Sequence, residues 1–306
     1  MISRHEYQGG VWVDLEQPSE EEMLAVVKEF SIGKHIEREL VSPTPAPLVA
    51  ADAGALLLVL HFPAHGAEDG STDNQEVDFV VSERFIVTVR YEVVAPLYHL
   101  KKLLETQKLV NGHDALTTDV LLEVLFAHLY TSVRDHIDHT ADTLARVERD
   151  MFDGRERATV RSISQISRAF LHVEAALANQ EESLGHFLKA LADREFFGTS
   201  FAVRGERIRA ERAQIAQLIS THRAIATELR ETNIALLEVR QNEIMKTLTI
   251  VNFIFLPLGL ITWIFAMRTE GMPLIDSPNA FWIVLGIMLG IGALLTAFFA
   301  RRRWLF

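Results

Sequence analysis

The chain has no cysteine. Disulfides, thiolate metal sites and a cysteine nucleophile are therefore excluded. Charge is missing from two stretches, Thr247 to Met267 and Ala280 to Ala300, each of 21 residues. Glycine and proline are missing from a third: after Gly205 neither occurs before Pro257. Basic residues are outnumbered, 30 Lys and Arg against 41 Asp and Glu, for a formal net charge of -11. That argues against a nucleic-acid partner, which is recognised through clustered Lys and Arg on one face. An acidic domain attracts cations instead. No Walker loop, Gly-rich dinucleotide fingerprint, nucleophile elbow or His-Glu-x-x-His motif is present, so nothing points to an enzyme or to a required cofactor. Met1-Ile2-Ser3-Arg4-His5-Glu6 is followed by no apolar run. The N-terminal part is therefore expected to lack a secretory signal and to stay in the cytoplasm.

The two uncharged runs are each long enough to cross roughly 30 Å of hydrocarbon at 1.5 Å per residue. Soluble helices keep a polar face, and these do not, so they read as transmembrane helices. Arg240 and Lys246 precede the first, and Arg301-Arg302-Arg303 follow the second. The connection 268–279 holds Arg268 beside Glu270 and Asp276. The positive-inside rule then puts both termini in the cytoplasm and the short loop outside, in an inner or plasma membrane. Trp282 and Trp304 sit near opposite ends of the second span, as interface anchors do.

Ahead of the spans, residues 1–113 read as mixed α and β. Val11 to Leu15 alternates like a strand, and Leu56 to Phe62 is an apolar run of strand length. Val77–Val81 and Phe85–Tyr91, joined by Ser82-Glu83-Arg84, read as a hairpin. Ser19, with Glu22 three residues on, predicts a capping box at the start of a helix. Residues 114–203 turn helical: Leu121, Leu122, Leu125, Phe126 and Leu129 recur at helical spacing. Breaks are expected at Asp153-Gly154 and Phe196-Phe197-Gly198, with a second helix from about Glu156 to Leu191. From Arg204 a single helix is expected to run through a stalk, 204–246, into the first span, 247–267. Its length would be roughly 90–95 Å. The loop 268–279, the second span 280–300 and a basic tail 301–306 complete the chain.

Asn242, Met245, Thr249, Asn252, Leu256, Gly259 and Trp263 recur by threes and fours and form one stripe across the stalk's end and the first span. Amide and hydroxyl groups on a membrane helix need partners or water. Two readings follow: the stripe lines a water path, or it forms ordinary hydrogen bonds inside a helix bundle. A two-span chain encloses no pore alone, so a water path requires a ring of copies.

Asn242-Glu243-Ile244-Met245-Lys246-Thr247-Leu248-Thr249-Ile250, then Phe255-Leu256-Pro257-Leu258, then Arg301-Arg302-Arg303-Trp304-Leu305, in that order around two closely spaced terminal spans, resemble the CorA metal-ion transporter family, which includes the ZntB zinc transporters. Trp12-Val13-Asp14-Leu15 and the Phe79-to-Tyr91 hairpin fit the family's αβ domain. The resemblance implies an α+β cytoplasmic domain (an αβα sandwich), a long stalk helix and two C-terminal transmembrane helices in a funnel-shaped homopentamer. It further implies that Asn242, Met245, Leu248, Asn252, Leu256 and Gly259 face a conduction path. Met245, Leu248 and Leu256 would be hydrophobic constrictions that gate by dewetting. Divalent cations, zinc or magnesium, would be substrate or regulator, and membrane lipid and copies of the chain its partners.

The family's outer-mouth signature is Gly-Met-Asn, and the aligned residues here are Ala266-Met267-Arg268, with Glu270 two positions on. Asn offers a carbonyl oxygen to a cation's water shell, whereas Arg offers only donors and a positive charge. Five Arg about 7 Å from a divalent ion would repel it by up to roughly 6 kcal/mol in water before screening. Glu270 would cancel part of this by pairing, and an Arg turned outward to lipid phosphates would cancel more. Magnesium transport through the usual mouth is thus expected to be altered. The competing expectation is a membrane scaffold or sensor that keeps the fold without conducting. Two smaller features stand apart. Asp135, His136, Asp138, His139 and Asp142 share a predicted helix, where His136 and His139 with Asp135 or Asp142 are spaced to bind Zn²⁺; the plain alternative is a solvated helix face. Gly286 and Gly290 are a small-xxx-small pair expected to permit close helix packing.

Overall fold

A computed structural model describes residues 1–7, 9–63, 74–111, 116–194, 196–267 and 279–302. They form two compact units, Met1–Arg230 and Glu231–Phe306.

In the first unit, β1 (Ile2–Tyr7), β2 (Gly10–Glu16), β3 (Leu48–Asp52), β4 (Ala55–Pro63), β5 (Asn74–Ser82) and β6 (Phe85–Arg90) build one sheet in the order β1-β2-β6-β5-β4-β3. Every neighbouring pair is antiparallel except β2 with β6. The β5–β6 hairpin turns tightly, with Ser82 opposite Phe85. Its turn also fixes β2, because Val11 N–H donates to Arg84 O at 3.0 Å.

Side-chain alternation sends the strands' apolar groups to both faces. On one face Val13, Leu15, Leu57, Val59, Val80, Val87 and Val89 pack with Met23, Val26, Ile36 and Leu40 of α1 (Glu20–Glu29) and α2 (Lys34–Leu40). The capping box of α1 is formed: Glu22 N–H donates to Ser19 Oγ at 3.2 Å and Ser19 N–H to Glu22 Oε2 at 3.0 Å. On the other face Phe79 stacks on Phe126 at 5.0 Å, and Phe62 meets Tyr130 edge-on at 5.9 Å. Those partners come from α4 (Thr118–Phe152), which pairs with α5 (Glu156–Asp193). Gly154, at φ +88°, makes the turn between them, a left-handed conformation that suits glycine. Helices on both faces of the sheet give the αβα arrangement expected.

Four elements were not anticipated: β1, β3, α2 and α3 (Ala95–Asn111). The long helix, α6 (Phe201–Ala266), begins at Phe201, before Arg204. It is unbroken through Pro257, whose missing N–H leaves one main-chain bond of the helix unmade.

The second unit holds the end of α6 and α7 (Ala280–Arg301). Both contain segments long and apolar enough to cross a membrane, with mean hydropathy 2.1 and 2.4. The two helices touch in antiparallel register. Phe253 meets Phe299 with ring centroids 6.3 Å apart, and Thr262 Oγ1 lies 3.8 Å from Met288 Sδ. Leu258 Cδ1 would stand 3.8 Å from a Cβ at Gly292. Gly286 and Gly290 do not face α6: a Cβ at either meets nothing within 4 Å among the described residues of this chain. The reason is phase. Counted from Gly292 at about 100° per residue, Gly286 and Gly290 fall roughly 120–160° round the helix.

Candidate functional site

The stripe expected from sequence lies on a bare face of α6. Helix phase decides this: from Leu258, which touches α7, Met245, Asn252, Leu256 and Trp263 stand roughly 120–160° round the helix at about 100° per residue. Met245 is 53% exposed, Leu256 70% and Trp263 70%; most of the span is similarly open, Phe253 at 62% and Phe255 at 68% included, so phase and not exposure distinguishes the stripe. Asn242, Thr249 and Asn252 are exposed as well, and Leu248 and Gly259 flank the stripe.

The polar groups on this face are of two kinds. Thr249 satisfies itself, its hydroxyl donating to Met245 O at 2.7 Å. On the α7 side Thr247 and Thr262 do the same toward Glu243 O and Leu258 O, each at 2.9 Å. A threonine bonded this way sits in an apolar helix at little cost. An asparagine side chain is too rich in donors and acceptors for that, with two N–H groups and a carbonyl. The Asn242 and Asn252 amides make no hydrogen bond to any described residue. Asn252 is followed by a wholly apolar run to Ile261 and lies in the spanning segment. Its amide therefore needs water or a partner that the described residues do not supply.

Around this polar pair the stripe is apolar and wide. Met245 and Leu248 follow Asn242, and Leu256 follows Asn252 by one helical turn. Amide and hydrophobic side chains thus alternate along this face. Ala266 closes α6 and Met267 is an exposed turn residue. Arg268 and Glu270, the other two expected mouth residues, lie outside the described residues.

The helix α4 cluster is different. Asp135, Asp138, His139 and Asp142 are exposed and His136 is half-buried. Among the described residues, no group of three or more His, Asp or Glu side chains is gathered to hold a metal ion. A single helix face spreads residues three and four apart over successive turns, so these side chains do not converge by themselves on one point.

Sequence reasoning missed a second polar centre, on the α1–α2 side of the sheet, where His61, Glu76, Asp78 and Tyr91 meet. Its members come from three strands and carry no local motif; the one available signal was two acids, Glu76 and Asp78, at strand spacing inside an apolar run.

The comparisons with known proteins agree with the architecture. The family model described as "CorA-like Mg2+ transporter protein" matches residues 7–302. The cobalt/magnesium transport protein CorA of Methanocaldococcus jannaschii is 23% identical over 305 residues, which span 96% of this chain and 91% of that protein. The complete structure of the CorA magnesium transporter from the same organism has the same fold, with a TM-score of 0.80 at 21% identity over 97% of this chain and 92% of the other. The full-length CmaX protein also shares it, with a TM-score of 0.70 at 19% identity over 96% and 89%. The matched span takes in the sheet from β2 onward, the paired helices α4 and α5, and all of α6 and α7, and the chain belongs to the CorA family of metal-ion transporters.

Proposed function

We propose that five copies of this chain close around the α6 stripe and pass divalent cations, magnesium or zinc, across the inner or plasma membrane. The observation that carries this reading is Asn252: an amide in an apolar span, on the face away from α7, with no partner among the described residues. Exposed to lipid it would cost several kcal/mol, about what any unsatisfied polar group costs in hydrocarbon. In a ring of copies the same amides face water and offer carbonyl oxygens to a passing hydrated ion. Leu256, Met245 and Leu248 form the dry constrictions between the amide rings and close the path by dewetting. The positive flanks, Arg240 and Lys246 before the first span and Arg301 and Arg302 after the second, place both termini in the cytoplasm.

At the mouth, Arg268 replaces the oxygen-bearing Asn of the family signature. A fixed positive charge there opposes entry of a fully hydrated magnesium ion. Selectivity is accordingly shifted away from the magnesium preference that the Gly-Met-Asn mouth supports. The test is divalent-ion flux into proteoliposomes, comparing Mg²⁺, Zn²⁺, Ni²⁺ and Co²⁺ for the unaltered chain, Asn252→Leu and Arg268→Ala. Flux of at least one ion, abolished by Asn252→Leu, is the expected result. No divalent flux, or flux indifferent to Asn252, overturns the pathway. Full magnesium flux unchanged by Arg268→Ala overturns the altered mouth and leaves the pathway standing.

A further inference from the structure

Four titratable side chains meet on the α1–α2 side of the sheet, far along the chain from the spans. Glu76 and Asp78 alternate on β5, so both project from the same face. Glu76 is 8% exposed and Asp78 is fully buried. His61 is the cross-strand neighbour of Glu76, and Tyr91 follows β6. Together they hold two points of the chain that connects α2 to β3. Glu76 accepts the Thr44 N–H at 3.0 and 2.8 Å and the Thr44 hydroxyl at 3.2 Å. His61 Nε2 lies 2.9 Å from Thr44 O and 3.4 Å from Glu76 Oε2. The Tyr91 hydroxyl oxygen lies 3.0 Å from Leu40 O, at the end of α2, and 3.3 Å from Asp78 Oδ2.

Counting hydrogens ties the contacts to the protonation of Asp78. A tyrosine hydroxyl carries one. It has two acceptors within reach, Leu40 O and Asp78 Oδ2, and donates to one at a time. With Asp78 neutral, Tyr91 can give its hydrogen to Leu40 O; with Asp78 ionised, the carboxylate competes for it. His61 Nε2 has two acceptors as neighbours, a carbonyl and a carboxylate, so it carries a hydrogen in the neutral ring and in the cation alike; the cation adds a charge that attracts Glu76. Asp78 Oδ1 and His61 Nδ1 are buried without partners. An ionised Asp78 would therefore be a buried charge beside a second carboxylate with no cation of its own, which is costly.

Among the described residues, no Lys or Arg forms an ion pair with Asp78. Arg90, next to Tyr91, is engaged by Asp14 and Glu16. From α5 comes the neutral Gln180, whose amide donates to His61 O at 2.6 Å. From α1, Glu20 lines a cleft of about 100 Å³ that also reaches Leu40, Val41 and Tyr91. That cleft is wide enough for water and brings it to the Tyr91 side of the cluster.

We propose that this cluster is a proton-operated clasp: with Asp78 and His61 protonated it fastens the end of α2 and the connection 41–47 to the sheet, and loss of those protons releases them. The directions of titration agree with the geometry. Burial, then the neighbouring Glu76 charge, raises the Asp78 acid well above the usual carboxylate range. The Glu76 bond raises His61, against the opposing effect of its burial. Burial pushes Glu76 up, but the bonds from His61 and Thr44 outweigh it and hold Glu76 below its ordinary value. The signs follow by linkage. The Asp78 contribution is complete below its ordinary 3.8, that of His61 below 6.5, and each is lost as pH rises through its raised value. The Glu76 contribution is present above 4.5 and is lost as pH falls through its lowered value. The clasp is shut between these limits and opens on the alkaline side.

The connection suits a direct reading, because Pro43, Pro45 and Pro47 lack amide hydrogens and Thr44 N–H is bound to Glu76. Hydrogen–deuterium exchange of the full-length protein, corrected for the intrinsic rate, is followed at Thr44 between about pH 5 and pH 9. Protection is expected to fall on the alkaline limb by about tenfold per pH unit for each proton released. Infrared difference spectra of the unaltered protein against Asp78→Asn are expected to show a protonated-acid C=O band at neutral pH that the variant lacks. Asp78→Asn keeps Thr44 protected to higher pH, and Glu76→Gln leaves it unprotected throughout. A flat protection profile in the unaltered protein, or no acid band assignable to Asp78, overturns the proposal. The exchange profile of the unaltered protein decides the matter even where a variant fails to fold.

Discussion

Arg90 on β6 sets its Nη2 2.9 Å from the Asp14 carboxylate on β2, and both side chains are almost wholly buried. The pair bridges the one parallel junction in the sheet, where Asp14 lies opposite Thr88 and Glu16 opposite Arg90. Arg90 Nε reaches Asp14 at 3.2 Å and Nη2 reaches Glu16 at 2.6 Å. The chain of bonds continues from Trp12 Nε1–H to Thr88 Oγ1 at 3.0 Å and from the Thr88 hydroxyl to Asp14 at 2.8 Å. Removing Asp14 leaves a buried guanidinium with half its counter-charge and breaks the Thr88 link. Asp14→Ala is expected to lower the unfolding free energy by about 3 kcal/mol, the lower end of the cost of breaking a buried pair. Asp14→Asn, which keeps the shape and the Thr88 bond, is expected to cost less. Denaturant melts of the detergent-solubilised protein, followed by circular dichroism, measure both.

Dewetting predicts the behaviour of the constrictions. A ring of Leu248 or Leu256 side chains repels a water column, and a polar side chain of similar size admits it. Leu248→Asn and Leu256→Asn are therefore expected to raise resting flux, by about tenfold for each 1.4 kcal/mol taken from the barrier. Phe253→Leu, on the side that faces Phe299, is expected to leave resting flux near that of the unaltered chain. Ion-sensitive dye entry into proteoliposomes separates the two outcomes.

What sequence made legible follows from how local each signal is. The capping box at Ser19 and the hairpin ending at Ser82 and Phe85 are set by residues a few positions apart. The length of α6 was legible because nothing between Gly205 and Pro257 interrupts it. The stripe of α6 was legible by period alone, but its opposite face was not, since α7 is known to cover Leu258 only from the packing. The edge strands escaped notice for a physical reason. Ile2–Tyr7 alternates with Arg4 and Glu6 at a half-solvated edge, and Leu48–Asp52 follows three prolines and is half alanine. The Arg90 network and the His61–Glu76–Asp78–Tyr91 cluster join residues from different strands, and no spacing in the chain announces such a meeting.

Gly10 is required by close approach. A Cβ there would stand 1.9 Å from Arg84 O, the same carbonyl that accepts the Val11 N–H. Gly10→Ala has to push the β5–β6 turn away from β2 and weaken that bond. The expected cost is about 1–3 kcal/mol, typical of overpacking. Gly54→Ala offers the contrast. Its Cβ meets nothing within 4 Å, so it loses only what the positive φ of +85° imposes. Thermal melts of the two variants side by side test whether contact with Arg84 is the larger effect.

The pairing of α6 with α7 turns on Gly292. A methyl group added there would lie 3.8 Å from Leu258 Cδ1, an ordinary contact, so Gly292→Ala is expected to be tolerated. A branched side chain reaches further and must force Leu258 aside. Gly292→Leu is therefore expected to lower stability by about 1–3 kcal/mol and to part α6 from α7. Gly286→Leu serves as the phase control, because Gly286 faces away from α6 and its added side chain meets no described group of the same chain. A cysteine pair at Leu258 and Gly292, oxidised in the membrane, reads the separation directly. Efficient cross-linking in the unaltered background and with Gly286→Leu is expected, and loss of it when Thr262→Trp is added beside Met288. No cross-link in the unaltered background would mean that the two helices do not meet along this face.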